Sequence, residues 1–174
     1  MMELLAMIRR NFLKGGLAAG VATVGALALG RQVAGASEGK FPVSRTEAEW
    51  KKLLTPDQFA VLREEATERP FSSPLNDNKK SGIYSCAGCD TSVYSSETKF
   101  DSGTGWPSFW APISEEVIET RTDYRLIYPR TEVHCATCGG HFGHIFDDGP
   151  KPTGKRHCLN GVALTFKPGM AQAS

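Results

Sequence analysis

Residues 135–161 read CATCGGHFGHIFDDGPKPTGKRHCLNG and carry the strongest structural signals of the chain. The stretch opens on a Cys-x-x-Cys pair followed by two glycines, which suit a tight turn that presents two sulfurs to one metal ion. A strand-like run over His141–Phe146 follows, then a turn rich in Asp, Gly and Pro, and then a second strand-like run that contains Cys158. The stretch therefore predicts a metal-binding turn joined to short strands.

Short segments of the same kind fill the chain from Gly82 onward. Residues 83–85, 91–94, 117–118, 126–128, 133–134 and 162–166 are rich in β-branched and aromatic side chains, and turn residues separate them. Before them, the tetrapeptides SRTE (44–47) and TPDQ (55–58) each predict a capped helix start, followed by apolar residues at helical spacing. No long helix is indicated after Ala66. We predict a mainly β domain of antiparallel strands with short helices at its N-terminal end.

The first 36 residues have the pattern of an export signal. The motif RRNFLK (9–14) precedes an apolar run over 15–30, and the small residues AGA (34–36) offer a cleavage site. The run is too short for a spanning helix, which needs about 20 apolar residues. The paired arginines resemble a twin-arginine signal. We expect residues 1–36 to be a signal peptide that exports the domain 37–174 to the periplasm, the alternative being a retained N-terminal membrane anchor.

The domain that would remain after cleavage is of ordinary size and nearly neutral. It has 138 residues, enough for one hydrophobic core, with 16 basic and 18 acidic residues and a formal charge of −2. Nucleic-acid binding depends on neutralising phosphates, so this balance argues against a nucleic-acid partner. We expect a monomer.

Four of the five cysteines form two Cys-x-x-Cys pairs, Cys86/Cys89 and Cys135/Cys138, with 45 residues between them. Two such turns supply four thiolates, which complete a closed tetrahedral zinc site with no position left for substrate. We therefore predict one structural Zn²⁺. Disulfides are the alternative in an exported protein, although a protein exported in the folded state can load its metal in the reducing cytoplasm first.

The fifth cysteine, Cys158, is the candidate reactive group. Arg156 lies two residues before it and can lower the pKa of the thiol, because a nearby cation favours the nucleophilic thiolate. His141, His144 and Asp148 lie upstream, and a cysteine with a histidine and a polar orienting group is the composition of nucleophilic or redox sites. A buried, inert thiol is the alternative, as is a role for the histidines in metal binding.

The third element of this site is the segment SGTGWPSFW (102–110), which places Trp106 in a Gly- and Pro-rich turn. There the indole can form the wall of a small apolar pocket or simply pack in the core. This segment, residues 135–161 and the two cysteine pairs together resemble the B-type peptide methionine sulfoxide reductases. The resemblance covers residues 44–166.

The resemblance implies a fold of two antiparallel sheets, a zinc site remote from the active site, and reduction of the R epimer of methionine sulfoxide in peptides or proteins. By resemblance, the Cys158 thiolate attacks the sulfoxide sulfur and becomes a sulfenic acid. His141 or His144 is the proton donor, Asn160 and Asp148 orient water or histidine, and Trp106 contacts the substrate methyl group. Arg156 corresponds to the arginine of the family motif.

The sequence departs from the family pattern at several positions. Many relatives carry a resolving cysteine where Thr104 stands, so we expect an external thiol reductant, thioredoxin-like or other, to reduce Cys158 directly. His157 replaces an aromatic residue, Gly161 a serine and Phe142 a leucine. These changes leave open whether His157 assists recycling or tunes the thiol. The rival functions are a zinc-containing binding module without turnover and an exported thiol peroxidase or redox sensor.

Overall fold

The computed structural model describes residues 41–169. The predicted signal peptide and its cleavage site after Ala36 lie outside the described residues. Within 41–169, no helix is both long enough and apolar enough to cross a membrane. Two α-helices come first, α1 (Glu47–Leu53) and α2 (Pro56–Glu64), and strands follow.

Both helices begin at a capping box. The box predicted at Thr55 and Gln58 is confirmed, with Pro56 in the first turn of α2. The one predicted at 44–47 is wrong by two residues, because the cap of α1 is Thr46, whose hydroxyl accepts a hydrogen bond from the backbone N–H of Glu49. The Glu49 carboxylate accepts from the backbone N–H of Thr46 in return, at 2.8 Å. Thr-x-x-Glu satisfies the same rule as Ser-x-x-Glu, so the pattern alone did not fix the register.

In the described part of the chain, nine strands form two sheets in which every strand pair is antiparallel, as predicted. One sheet has three strands in the order β2-β1-β9, and the other has six in the order β3-β4-β8-β7-β6-β5. In chain order the strands are β1 (Gly82–Cys86), β2 (Ser92–Ser95), β3 (Lys99–Phe100), β4 (Ser108–Phe109), β5 (Ile118–Asp123), β6 (Arg130–Cys135), β7 (His141–Phe146), β8 (Arg156–Leu159) and β9 (Leu164–Pro168).

The structure differs from the predicted strands in several places. Residues 126–128 are not a strand; they lie in the loop between β5 and β6, and their apolar side chains are exposed. The strand before this loop, β5, was missed beyond Ile118 because most of its side chains are polar and face solvent. Residues 162–166 form a strand only from Leu164 onward, since Gly161–Ala163 is a 3₁₀ turn.

Aromatic side chains between the two sheets form the centre of the core. The rings of Tyr84 and Tyr94, from the three-stranded sheet, lie 5.0 Å and 4.7 Å from the ring of Phe109 in the six-stranded sheet. All three residues are fully buried. Burial of rings of this size is a large part of the free energy that holds the sheets together. The core thereby fixes β4 and β8, the two strands that border the candidate active site.

Candidate functional site

The four cysteines of the two Cys-x-x-Cys pairs come together, and their sulfur atoms all lie within 4.8 Å of one another. The Sγ atoms of Cys86 and Cys138 are 3.6 Å apart, and so are those of Cys89 and Cys135. Four thiolates at about 2.3 Å from a tetrahedral ion would lie roughly 3.8 Å from each other, which the observed spacing matches. Among residues 41–169 no cysteine forms a disulfide, so the disulfide alternative is not what the structure contains.

The two cysteine turns are built alike. Each follows the end of a strand, β1 or β6, and each is closed by a backbone hydrogen bond of 2.8 Å to the carbonyl of its first cysteine: Asp90 N–H to Cys86 and Gly139 N–H to Cys135. Asp90 and Gly139 both have a positive φ, 62° and 67°. Because one turn belongs to each sheet, an ion bound by all four sulfurs would link the two sheets.

Cys158 lies in β8 and borders a cavity of about 140 Å³. The side chain is partly buried. A space of this size accommodates a small group such as a methylsulfinyl group, and it is walled by both apolar and polar side chains. The residues that form it are Thr67, Trp106, Arg130, Gly143, His144, Phe146, Cys158 and Asn160.

The surroundings of Cys158 disfavour the thiolate form, because the side chain is partly buried. Burial raises the pKa of the thiol above its usual value; a hydrogen bond from Thr104 and the charge of Arg156 oppose this effect but do not outweigh it. The Arg156 guanidinium also binds Asp148 through Nε and Nη2, both at 2.9 Å, so its charge is shared. Arg156 therefore lowers the pKa of Cys158, as predicted, although the effect of burial is larger.

His144 is the histidine that borders the cavity. It lies directly opposite Cys158 in the pairing of β7 with β8, so both side chains are on the same face of the sheet. Its Nε2 is 2.8 Å from the Asp123 carboxylate, which orients the ring. Burial lowers the pKa of His144, and the bond to Asp123 opposes that shift.

His141 occupies a different environment, behind the cavity. Its Nδ1 is 2.7 Å from the buried carboxylate of Glu132, which also binds His134 at 2.9 Å and the Nε of Arg121 at 2.9 Å. Burial would raise the pKa of Glu132, but hydrogen bonds from the two histidines lower it to about 2. The rings of His141 and His144 are in edge contact, with centroids 5.5 Å apart. His141 can therefore position His144, whereas His144 alone of the two forms the cavity wall.

Asn160 and Trp106 are both fixed by one residue that sequence reasoning missed, Glu68. Asn160 Oδ1 accepts a hydrogen bond from the backbone N–H of Glu68 at 2.9 Å, and Trp106 Nε1 donates to the Glu68 carbonyl at 3.1 Å. Asn160 Nδ2 donates to the carbonyl of Phe142. The amide of Asn160 is thus bound to backbone groups, and neither of these bonds involves a histidine.

The side-chain carboxylate of Glu68 binds the backbone that directly follows Asn160. It accepts hydrogen bonds from the backbone N–H groups of Gly161 at 2.6 Å and Val162 at 3.1 Å. Burial raises its pKa, and the two backbone bonds counteract the shift. Glu68 follows α2 in an irregular segment, and it belongs to no pattern from which its role could have been found.

The structure places Asp148 away from the cavity wall. Its side chain is 64% exposed and binds Arg156, where the sequence analysis expected it to orient water or histidine. Two other charged residues lie beside His144 instead: Asp123, which binds its ring, and Arg130, which borders the cavity and whose Nη2 is 2.6 Å from Asp123. Both were missed because only the register of β5, β6 and β7 brings Asp123 to His144 and Arg130 to the cavity.

The remaining departures from the family pattern are structural. His157 faces the core, away from Cys158, and its Nδ1 is 3.0 Å from the hydroxyl of the buried Tyr94. Burial lowers the pKa of His157 to about 4. A side chain at Gly161 would meet Ser73, whose Oγ would lie 1.9 Å from the added Cβ. Phe142 is fully buried in the core.

Comparison with known proteins agrees with this geometry. The SelR domain matches residues 54–168. The chain is 54% identical over 125 residues to the "Peptide methionine sulfoxide reductase MsrB" of Methanosarcina barkeri, which covers 72% of this chain and 88% of that protein. It is 46% identical over 126 residues to the protein of that name from Agrobacterium fabrum, covering 72% and 93%.

A plant relative shows a similar degree of likeness. The "Peptide methionine sulfoxide reductase B1, chloroplastic" of Arabidopsis thaliana is 53% identical over 122 residues, which are 70% of this chain and 60% of that protein. The SelR match spans both cysteine turns and every cavity residue. The match to one domain over most of the chain and the identity to several named relatives show that this chain belongs to the SelR family of peptide methionine sulfoxide reductases.

Proposed function

We propose that this protein reduces the R epimer of methionine sulfoxide in peptides and proteins to methionine, with Cys158 as the nucleophile. The observation that carries the proposal is the juxtaposition of a partly buried thiol, an oriented histidine and an indole around one small cavity. Family membership supports the same reaction. The cavity accommodates a sulfoxide and its methyl group, and Trp106 supplies an apolar wall for that methyl group.

The reaction transfers one oxygen atom from substrate to enzyme. The sulfur of Cys158 attacks the sulfoxide sulfur, and His144 takes the thiol proton and passes it to the sulfoxide oxygen. The protonated oxygen then moves to the sulfur of Cys158 as the sulfur–oxygen bond of the substrate and the transient sulfur–sulfur bond break, so methionine leaves and Cys158 is a sulfenic acid. The thiol and the sulfoxide become a sulfenic acid and a thioether, so the step needs no other reductant.

An external thiol then restores the enzyme. Thr104 stands where a resolving cysteine would, and its Oγ1 is 3.8 Å from Cys158 Sγ. The other four cysteines of the chain are in the four-sulfur cluster. One external thiol condenses with the sulfenic acid to a mixed disulfide and water, and a second thiol releases Cys158 by exchange. A thioredoxin-like protein or a small thiol fits this role.

The four-cysteine cluster is proposed to hold one zinc ion in a structural role. Cys86, Cys89, Cys135 and Cys138 would supply four thiolates and leave no coordination position for substrate. The ion would contribute folding free energy by linking the ends of β1 and β6. The proposed reaction involves only Cys158 and the residues of its cavity.

The site of action is proposed from the leader alone. Residues 1–36 have the pattern of a twin-arginine signal, which would deliver the domain 37–174 to the periplasm already folded and loaded with metal. If the leader were retained, the domain would be anchored at the membrane. The proposed partners are an oxidised polypeptide and a thiol reductant, with the enzyme acting as a monomer and without nucleic acid.

The test is a comparison of epimers with the metal-loaded protein. Loss of the R and S epimers of a methionine sulfoxide peptide is measured with excess small thiol, for the wild type and for Cys158→Ser. We expect turnover of the R epimer only, and none for the variant. Turnover of neither epimer by the wild type with metal bound would contradict the proposal and favour a binding module, whereas reduction of peroxide but not of sulfoxide would indicate a peroxidase.

A further inference from the structure

Three hydroxyl side chains form a continuous chain that ends at the sulfur of Cys158. The Oγ of Ser102 lies 2.7 Å from the Oγ of Ser108 and 2.8 Å from the Oγ1 of Thr104. Thr104 Oγ1 in turn lies 3.8 Å from Cys158 Sγ, within hydrogen-bond distance for sulfur. Ser108, the third hydroxyl, donates to the carbonyl oxygen of Trp106 at 3.1 Å and also lies beside the Cys158 thiol.

The backbone holds these hydroxyls in place. Ser108 is buried in β4, directly opposite Cys158 in β8. The loop before β4 turns back on itself, and Gly103 and Gly105 take positive φ values of 69° and 92° that side-chain-bearing residues rarely adopt. Thr104, between these two glycines, is thereby directed to the sulfur, and Ser102 bridges it to Ser108.

The hydrogen bonds of this hydroxyl chain can run in either of two directions. With Cys158 as a thiol, the S–H donates to Thr104, Thr104 donates to Ser102, Ser102 to Ser108, and Ser108 to the Trp106 carbonyl. With Cys158 as a thiolate, each hydroxyl rotates and the chain runs the other way, ending in a hydrogen bond from Thr104 to the sulfur. A hydroxyl is both donor and acceptor, so each of the three has an acceptor for its hydrogen in either state.

We propose that Ser102, Thr104 and Ser108 form a reversible hydroxyl chain that stabilises the Cys158 thiolate by directing their hydrogens toward it. Burial disfavours the charged sulfur at this site, so a hydrogen-bond donor that turns toward the sulfur stabilises the thiolate relative to the thiol. Hydrogen bonds in a row polarise one another, so Ser102 strengthens the bond from Thr104 without touching the sulfur. The proposal rests on the proposed function only in that Cys158 is taken as the nucleophile.

Other charged and titratable groups also face Cys158. Arg156 lies on the same strand and face, His144 is opposite it on β7, and Arg130 shares the cavity. From β4 and the preceding loop, the residues close to the sulfur are Ser108 and Thr104, which are neutral. The three ionisable groups are the same in every variant below, so a difference between variants reports on the hydroxyls.

The test is the pH profile of Cys158 alkylation by iodoacetamide in the metal-loaded full chain, read by mass spectrometry of the peptide that carries Cys158. Thr104→Val removes the hydroxyl and keeps the shape, Thr104→Ser keeps the hydroxyl, and Ser102→Ala removes the middle link. At pH 7 we expect Thr104→Val to react about tenfold more slowly and Ser102→Ala about threefold more slowly, with both profiles shifted to higher pH, and Thr104→Ser to stay near the wild type.

Each outcome decides the proposal. Unchanged profiles for Thr104→Val and Ser102→Ala would overturn it, and a shift in Thr104→Val alone would replace the chain by a single direct contact. A variant that lost its fold would show a lowered unfolding temperature, and the partly exposed Ser102 then supplies the independent test. Turnover of the R epimer is measured separately. If the wild type were inactive while the variants still showed shifted alkylation profiles, the proposed function would be refuted and the proposed hydroxyl chain would be supported.

Discussion

His157 and Cys158 are neighbours in β8, but their side chains leave the strand on opposite faces. Cys158 faces the cavity, where solvent and substrate can reach it, while His157 is buried against Tyr94. The alternation of a single strand therefore separates two titratable groups that are adjacent in sequence. It also assigns them different effects, since Cys158 governs reactivity and His157 governs how stability depends on pH.

The buried His157 predicts a loss of stability in acid that a variant can remove. Its pKa is about 4 in the folded protein and about 6.5 in an unfolded chain, so the unfolded state binds the proton first as the pH falls. The free energy of unfolding should be unaffected above pH 6.5 and fall by about 3 kcal/mol between pH 6.5 and pH 4 from this residue. In His157→Phe this part of the pH dependence should disappear, as measured by denaturant unfolding across that range.

The matched control for this measurement is Tyr94→Phe, which removes the hydrogen-bond partner but keeps the imidazole. We expect it to lower stability by about 1 kcal/mol at every pH while the slope between pH 6.5 and pH 4 remains. His157→Phe also leaves the Tyr94 hydroxyl without its partner, so the comparison is made between slopes. An equal slope in the wild type and His157→Phe would show that other groups cause the acid sensitivity.

At the scale of elements, the irregular segment after α2 does much to define the cavity. Glu68 contacts Trp106, Asn160 and the 3₁₀ turn Gly161–Ala163, partly through its backbone and partly through its carboxylate. A residue without regular secondary structure thus connects the loop before β4 to the end of β8. The positions of the substrate-facing side chains depend on that connection.

Replacement of Glu68 by Gln should loosen this connection. The Gln amide group has one oxygen, so one of the N–H groups of Gly161 and Val162 loses its acceptor, at a cost of about 1–3 kcal/mol in unfolding free energy. Because Trp106 and Asn160 are held through the backbone of the same residue, we expect KM for a sulfoxide peptide to rise severalfold more than kcat falls. Glu64→Gln, an exposed position on α2, is the control, and equal kinetics for the two variants would contradict the argument.

The sequence predicted some secondary-structure elements accurately and missed others. His141–Phe146 was predicted with the bounds that the structure has, because its apolar and aromatic residues are bounded by glycines and aspartates. The exposed strand β5 gave no such signal, and the apolar loop residues Leu126 and Ile127 gave a false one. Short-range patterns of apolar and polar residues reflect which side chains are buried. An exposed strand and an exposed apolar loop therefore do not show the expected pattern.

For the site, the chain places the predicted Cys158, His144, Trp106 and Asn160 around one cavity. Asp123 and Glu132 were missed because their function depends on strand register, and Glu68 because it contacts Asn160 across a separation of 92 residues. Reactive residue types can be recognised in a sequence by their chemistry. The carboxylates that orient them are common residues, and only the tertiary structure distinguishes these from the others.

At the scale of the whole molecule, the four-cysteine cluster and the aromatic core both connect the two sheets. Cys86 ends β1 and Cys135 ends β6, so the cluster links one strand of each sheet. The aromatic contacts of Phe109 link the sheets through β4. Cys158 lies beside this second connection, in the strand paired with β4, and its cavity includes none of the four cluster cysteines.

This arrangement predicts that loss of the metal affects folding more than the chemistry of Cys158. Cys135→Ser removes one of four ligands and leaves a buried polar group at the junction of the sheets, so bound zinc, measured by mass spectrometry, should fall below one ion per chain. The unfolding temperature should drop by about 10 °C or more, since a structural metal contributes several kcal/mol. Cys158→Ser is the matched control, because it also exchanges one sulfur for oxygen but should keep the metal and the unfolding temperature of the wild type.

At temperatures where Cys135→Ser remains folded, Cys158 should still be alkylated at a rate close to that of the wild type. A variant that lost its metal without losing stability would show that the aromatic core alone holds the sheets together.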